Sequence, residues 1–358
     1  MSIFQKLKSW FTDTTKPRVH QAIPPGRVFF TQPGAGVGGD APVLADRSYL
    51  RVWLVEMKLA KSRDWFKDYQ PAVHTTSTLQ FADRTVELTR VAAPDKTAFI
   101  GDRAVLRNYP LLDLIPFRGG TLELDAALIA VKGDDHLAKA ISAVSGFADL
   151  VSAPLSAALA IADKVKQSAD LLFDDDGKVE LAYHNQYGGG GGANTLVPGY
   201  IAVVLADASA TDWSQLFVRD DELWWGNGND VGRVTKHDYM LLRVESLASR
   251  DDLHHFTDIA RLREQTISAF LKGNDEEGET SFRLAMASIA SHPDLINSDR
   301  RAVIKSLRDE LNEYRNPAHG ATPPIAASLW ADKALTIAPV NDSAPITADE
   351  LDELIARK

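Results

Sequence analysis

The segment Gly119-Gly-Thr-Leu-Glu-Leu-Asp-Ala-Ala-Leu-Ile-Ala-Val131 indicates the fold of this chain more strongly than any other stretch. Its residues alternate between apolar and polar up to Asp125 and then become wholly apolar, which predicts a strand. The run Lys178-Val-Glu-Leu-Ala-Tyr183 alternates in the same way. Residues 134–173, between the two runs, are rich in alanine and predict a pair of helices. A helical insert between two strands is therefore expected.

Short β-prone runs surround this insert on both sides, and Gly, Pro or Asp residues separate them. Ala72–Leu79 and Thr85–Val91 predict a hairpin, Tyr49–Lys58 predicts a central strand, and Pro110–Pro116 is interpreted as a buried connector. Because strands and helices do not alternate regularly, a doubly wound parallel sheet is disfavoured. The sequence therefore predicts an α+β protein with an antiparallel β-sandwich-like or barrel-like core. The further predicted strands are Arg27–Thr31, Gly199–Leu205, Ser214–Val218, Glu222–Trp225 and Tyr239–Val244.

The chain changes character at Ser249, where the capping box Ser249–Asp252 predicts the start of a helix that runs to Leu271. Two more amphipathic helices are predicted from about Glu276 to Ser291 and from about Ser298, so the region is expected to form a small bundle. The prolines after residue 316 predict an extended tail. The expected organisation is an N-terminal helix and linker (1–26), a β-rich domain (27–248), a helical unit (249–316) and a proline-rich tail (317–358).

Composition limits the classes of function. The formal net charge of -10 argues against a nucleic-acid partner, because an acidic surface repels phosphates. The absence of cysteine excludes disulfides and thiolate chemistry. Charged residues interrupt the N-terminal apolar stretch, and the uncharged run 150–162 is too short to span a bilayer. We therefore expect a cytoplasmic protein, with membrane contact through Ser2–Phe11 or the alanine-rich helices as a weaker alternative.

No motif commits the chain to a reaction, so no catalytic residue, metal ligand or cofactor is predicted. Gly34–Gly39 spells the dinucleotide-binding pattern, but the residues that follow are poor helix formers. Asp174–Gly177 lacks the remaining ligands of a calcium loop and is better interpreted as a turn. An enzyme with an unfamiliar site stays open as an alternative, and its candidate residues are His184, His237, Asp238 and His254.

The leading functional hypothesis is a non-enzymatic scaffold protein that binds protein partners through amphipathic helices at its two ends. The N-terminal helix would span Ser2–Phe11, and the C-terminal helix would begin after the capping residue Thr347. Short helices on linkers gain most of their stability from a surface, which belongs either to a partner or to the same chain. The predicted partner-binding residues are Phe4, Leu7, Trp10, Phe11, Leu351, Leu354 and Ile355.

A second hypothesis is a module that binds a glycan or another small ligand. Two loops combine aromatic side chains with glycine and amide side chains, which can stack on a ligand and hydrogen-bond to it. The competing interpretation is that the tryptophan pair is anchored in the core. The predicted ligand-binding residues are Tyr187, Trp224, Trp225, Asn227 and Asn229.

Overall fold

The structure is a computed structural model. It describes residues 10, 19–31, 43–60, 63–64, 67–81, 84–92, 99–100, 103–104, 109–132, 178–188, 196–207, 209, 212–227, 230–250, 252–253, 256–315 and 344–356. The predicted helical insert 134–173 and most of the predicted N-terminal helix and proline-rich tail lie outside these residues.

The described residues form sixteen strands and four α-helices. The strands are β1 (Val19–Ile23), β2 (Val28–Phe29), β3 (Tyr49–Lys58), β4 (Arg63–Asp64), β5 (Lys67–Phe81), β6 (Arg84–Ala92), β7 (Phe99–Ile100), β8 (Arg103–Ala104), β9 (Tyr109–Pro116), β10 (Thr121–Lys132), β11 (Lys178–Gly188), β12 (Gly199–Val204), β13 (Leu216–Arg219), β14 (Glu222–Asn227), β15 (Asp230–Arg233) and β16 (Tyr239–Leu247). The helices are α1 (Thr257–Leu271), α2 (Asp275–Ser291), α3 (Asn297–Arg315) and α4 (Ala348–Ala356).

Two five-stranded antiparallel sheets form the main body. One has the order β1-β12-β16-β3-β9, and the other has the order β11-β10-β5-β4 with β6 also paired to β5. A four-stranded sheet, β15-β14-β13-β2, is antiparallel except for the parallel pair of β13 and β2. The described strands close no barrel. The mixed α+β class with antiparallel sheets is therefore confirmed.

The two five-stranded sheets share one hydrophobic core. In β10, Leu122 and Leu124 enter this core, whereas Glu123 and Asp125 lie on the opposite face, as the alternation predicts. The sheet of order β1-β12-β16-β3-β9 is called the β1–β9 sheet after its two edge strands. A second core lies between this sheet and the four-stranded sheet, and Val55 and Tyr239 are among its members. The β1–β9 sheet is thus covered on both faces, which explains the nearly continuous apolar sequences of β3 and β16.

The helices α1, α2 and α3 pack around a third core, and α4 lies against it. The core residues recur at helical spacing, as in Phe282, Met286 and Ile289 of α2. The backbone N–H of Glu350 donates to the hydroxyl of Thr347 at 3.1 Å, so the predicted cap of the last helix is present. None of the described helices is long and apolar enough to cross a membrane.

Two segments predicted to lack regular structure are strands. Val19–Ile23, within the predicted linker, pairs antiparallel with β12, and its apolar residues pack against the second core. Pro110–Pro116, interpreted as a connector, belongs to β9 and pairs with β3. Both segments are the edge strands of one sheet, and each pairs with a single neighbour in that sheet.

The first helix begins later than its capping box predicts. It starts at Thr257, and no side chain caps it. The cause lies in Arg250, which is 2% exposed and whose side chain pairs with Asp252 at 2.6 Å. Its Nη1 also donates to the carbonyl of Asp294 at 2.9 Å. Arg250 therefore joins the bundle, through Asp294, to Tyr49 of the sheets, and the helix does not begin here.

Candidate functional site

The outer face of the four-stranded sheet carries a row of aromatic and arginine side chains. Leu216, Val218 and Leu223 belong to the core behind this sheet, so the residues that alternate with them lie on its other face. We call this row the aromatic–arginine face, and its members are Phe29, Phe217, Arg219, Trp224 and Arg233.

The rings of this face contact one another across the strands. Phe29 meets Phe217 edge-to-face with centroids 5.9 Å apart, and Phe217 stacks beside Trp224 at 6.3 Å. The guanidinium of Arg219 lies 4.9 Å from the Trp224 centroid and 5.4 Å from that of Phe217. The guanidinium of Arg233 lies 5.8 Å from the Trp224 centroid. The two arginines therefore hold the indole by cation–π contacts.

The two arginines of the face differ in their charge partners. Arg233 pairs with Glu222 and with the buried carboxylate of Glu56, whose pKa is raised by burial. Arg219 is an exposed residue, and among the described residues no ion pair joins its guanidinium to an Asp or Glu. Its cross-strand partner Glu222 is paired with Arg233 instead.

The nearby carboxylates are already engaged. Asp220 accepts hydrogen bonds from the backbone N–H and the hydroxyl of Thr31, and Asp221 pairs with Arg243 at 3.2 Å. Phe29, which is 49% exposed, is the register partner of Arg219. The face therefore presents a cation beside an open apolar ring, which is suited to an anionic group that carries apolar atoms.

The predicted ligand-binding residues do not come together as one site. Tyr187 is 7% exposed, lies in the core of the five-stranded sheets and shares a hydrogen bond with the hydroxyl of Tyr183. Trp225 packs against the second core, and its Nε1 donates to the carbonyl of Asp212 at 3.2 Å. Trp224 and Asn227 lie on β14, and Asn227 is exposed. Asn229 lies outside the described residues.

The structure describes four of the predicted partner-binding residues, and all four pack on the chain itself. Trp10 is 3% exposed and belongs to the core of the five-stranded sheets. Leu351, Leu354 and Ile355 pack, partly buried, against the helical core. The sequence allows the last helix to pack either on a partner or on its own chain. In the structure this helix packs on its own chain. Partner binding by these residues stays a prediction, as it does for Phe4, Leu7 and Phe11, which lie outside the described residues.

A cluster of side chains that can bind a metal lies elsewhere, on β10 and β11. The Nδ1 atom of His184 is 2.8 Å from a carboxylate oxygen of Asp125 and 3.7 Å from one of Glu123. Burial raises the pKa of Asp125, although the hydrogen bond to His184 opposes that shift. The sequence predicts no metal site here, because strand pairing brings the histidine in from 59 residues away.

The other residues of the enzyme alternative have different surroundings. The ring of His237 packs edge-to-face on Trp213, and its Nδ1 lies 3.2 Å from the carbonyl oxygen of Leu205. The carboxylate of Asp238 accepts a hydrogen bond from the backbone N–H of Ala60. His254 lies outside the described residues. The enzyme alternative gains no support from these contacts.

The chain matches no protein-family model, and comparisons with curated proteins and with solved structures likewise give no match.

Proposed function

We propose that this chain is a non-enzymatic interaction protein that binds an acidic segment of a protein partner on its aromatic–arginine face. The two five-stranded sheets, which we propose form a β-sandwich, would be the rigid body that carries this face. The observation that supports the proposal is the guanidinium of Arg219, an exposed residue. It is stacked on Trp224 and Phe217 and paired with no described carboxylate.

Stacking prepares Arg219 for binding. A guanidinium held flat against rings has already lost much of its rotational freedom, so less entropy is lost when a partner binds. Its N–H groups form a planar fork that matches the two oxygens of a carboxylate. Phe29 lies beside it in register and offers apolar area to the same ligand. An acidic residue followed or preceded by an apolar one fits this pair.

The contacts of the two indoles favour a protein partner over a glycan. A sugar ring stacks on an open aromatic face, but two guanidiniums already lie over the ring of Trp224. Trp225 is turned toward the core behind the sheet. The packing of Trp10 and of α4 on the chain itself also favours a recognition surface on the sheet rather than at the ends.

The test is a fluorescence-polarisation titration of the full chain against a panel of peptides that contain Asp or Glu beside Phe or Leu. Matched peptides carry Asn or Gln in place of the acids. We expect the acidic peptides to bind and their affinity to fall with added salt. Arg219→Glu should lower the affinity by at least about tenfold, because the loss of a hot-spot arginine costs about 2 kcal/mol or more and about 1.4 kcal/mol is a factor of ten. Phe29→Ser should act in the same direction.

The matched controls are Arg283→Glu and Leu284→Ser, which change an exposed arginine and an exposed leucine on α2. Both should leave binding unchanged. The proposal fails if no acidic peptide binds, or if the controls lower the affinity as much as Arg219→Glu does. If glycans bind and perturb the tryptophan fluorescence, and no peptide binds, the glycan hypothesis would replace the proposal.

A further inference from the structure

The side chains of Glu123, Asp125 and His184 converge because of strand geometry. Glu123 and Asp125 are two residues apart on β10, so both carboxylates lie on the same face of the sheet. His184 on β11 is the direct cross-strand partner of Asp125, and Gln186 is that of Glu123. Directly paired residues in an antiparallel ladder have close Cβ atoms, so the imidazole and the two carboxylates meet.

The spacing of the donor atoms suits a metal ion. One donor from each residue can be chosen so that all of them lie within 4.8 Å of one another. A zinc ion about 2.1 Å from each ligand separates two ligand atoms by about 3.0–3.4 Å, depending on the angle between them. The observed separations of 2.8 Å and 3.7 Å lie on either side of that range. Small rotamer adjustments would complete the geometry.

The charge of the cluster also favours a cation. Among the described residues, no lysine or arginine pairs with Glu123 or Asp125. The negative charges of Glu123 and Glu87 both act on Asp125. A divalent ion between the carboxylates would offset this repulsion, because its charge is the largest one in such a site.

The two carboxylate residues are held by a paired strand rather than by a surface loop. β10 is paired on both sides, with β11 and with β5, so the Cα positions of Glu123 and Asp125 are fixed by two ladders. The site is nevertheless open to solvent, because the carboxylates are half-buried and His184 is exposed. An ion there would keep coordination positions for water or for an outside ligand.

We propose that Glu123, Asp125 and His184 bind one divalent transition-metal ion. The imidazole nitrogen selects this class over magnesium and calcium, which prefer oxygen ligands alone. Each residue supplies one donor atom, and zinc is the probe of choice because it accepts mixed nitrogen and oxygen ligands.

The test is an isothermal titration of zinc chloride into the untagged full chain after treatment with a chelator. We expect one ion per chain, and we expect excess magnesium or calcium not to displace it. Asp125→Asn and His184→Gln should each weaken binding by more than about tenfold, since the loss of supporting groups alone costs that much in other sites. Circular dichroism checks that both variants remain folded.

His237→Gln is the matched control, because it removes an imidazole that lies outside the cluster, and Arg219→Glu separates this site from the proposed partner surface. Both should bind zinc as the unmodified chain does. The inference is overturned if zinc does not bind, if binding survives both Asp125→Asn and His184→Gln, or if His237→Gln weakens it equally. A failure of peptide binding at the aromatic–arginine face would leave the zinc result unaffected.

Discussion

The phenolic oxygen of Tyr49 accepts a hydrogen bond from the backbone N–H of Ile296, 2.9 Å away and 247 residues later in the chain. Tyr49 begins β3 and is fully buried, and Ile296 immediately precedes α3. The Tyr49 hydroxyl is also hydrogen-bonded to Asp299, whose carboxylate accepts the backbone N–H of Arg250 at 3.0 Å. This buried network joins the sheets to the helical bundle.

We expect Tyr49→Phe to lower the free energy of unfolding by about 1–3 kcal/mol, which is typical when a buried hydrogen-bonding group loses its partner. The change leaves the N–H of Ile296 without its acceptor and removes a donor to Asp299. Urea unfolding followed by circular dichroism measures it. Tyr314→Phe on α3 is the control, because this half-buried tyrosine lies outside the network. Equal effects of the two substitutions would argue against a role for the network.

The stability of the network should depend on pH. Burial raises the pKa of Asp299 from 3.8 to about 6, so the folded protein holds this proton over a range in which the unfolded chain has lost it. The contribution of Asp299 to stability therefore falls as the pH rises from about 4 to about 6. Asn cannot ionise, so Asp299→Asn should become more stable relative to the unmodified chain across that window, by a difference on the order of 1–3 kcal/mol.

Urea unfolding of both proteins at a series of pH values measures this difference. Other carboxylates titrate in the same range, including Asp113, whose pKa burial raises to about 7. Their contribution is common to both proteins and cancels in the comparison. Stability curves that run parallel across that whole range of pH would show that Asp299 is ionised alike in the folded and unfolded chain.

The strands that could be predicted from the sequence are those whose order of apolar and polar residues reflects which side chains are buried. Thr121–Val131 alternates where one face is covered and turns apolar beyond Asp125, and the structure places β10 there. The edge strand Val19–Ile23 carries no such pattern, since its order comes from pairing with β12. The start of α1 was mispredicted for a related reason. The capping sequence at Ser249 competes with the burial of Arg250, and burial with paired charges prevails.

The candidate sites depend on pairing across strands, which a single sequence does not record. The local sequence around Trp224 predicts a ligand-binding residue, but the contact of Trp224 with Arg219 follows from the β13–β14 hairpin. The approach of His184 to Asp125 follows from the register of β10 with β11. Individual residue types could therefore be named in advance, whereas their grouping could not.

The docking of α4 depends on a two-point contact between Arg301 and Glu350. The arginine is 7% exposed and donates to both carboxylate oxygens, at 2.6 and 2.9 Å. We expect Arg301→Ala to speed hydrogen exchange of the amides in residues 348–356, because a nearly buried bidentate pair is worth more than a surface one. Exchange measured by mass spectrometry tests this. Lys305→Ala, at an exposed position of the same helix, should leave the exchange of α4 unchanged. Fast exchange of α4 in the unmodified chain would contradict the docked position.

The crossing of α1 and α2 depends on a glycine. A Cβ atom at Gly278 would lie 2.4 Å from the ring of Phe270, which is 8% exposed and cannot move freely. Alanine normally improves a helix by up to about 1 kcal/mol relative to glycine. Overpacking typically costs about 1–3 kcal/mol, so Gly278→Ala should lower the free energy of unfolding despite the better helix propensity.

A double-mutant cycle identifies the cause. In a chain that already carries Phe270→Leu, the added methyl group has room, and Gly278→Ala should cost less than it does alone. Gly273→Ala is the contrasting case, because Gly273 has a φ of +74° and no side chain from another part of the described chain lies within 4 Å of the position that its methyl group would take. Its cost comes from the left-handed backbone, so Phe270→Leu should not relieve it. Chemical denaturation of these variants measures the coupling, and a cycle with no coupling between positions 270 and 278 would mean that the two helices separate to admit the methyl group.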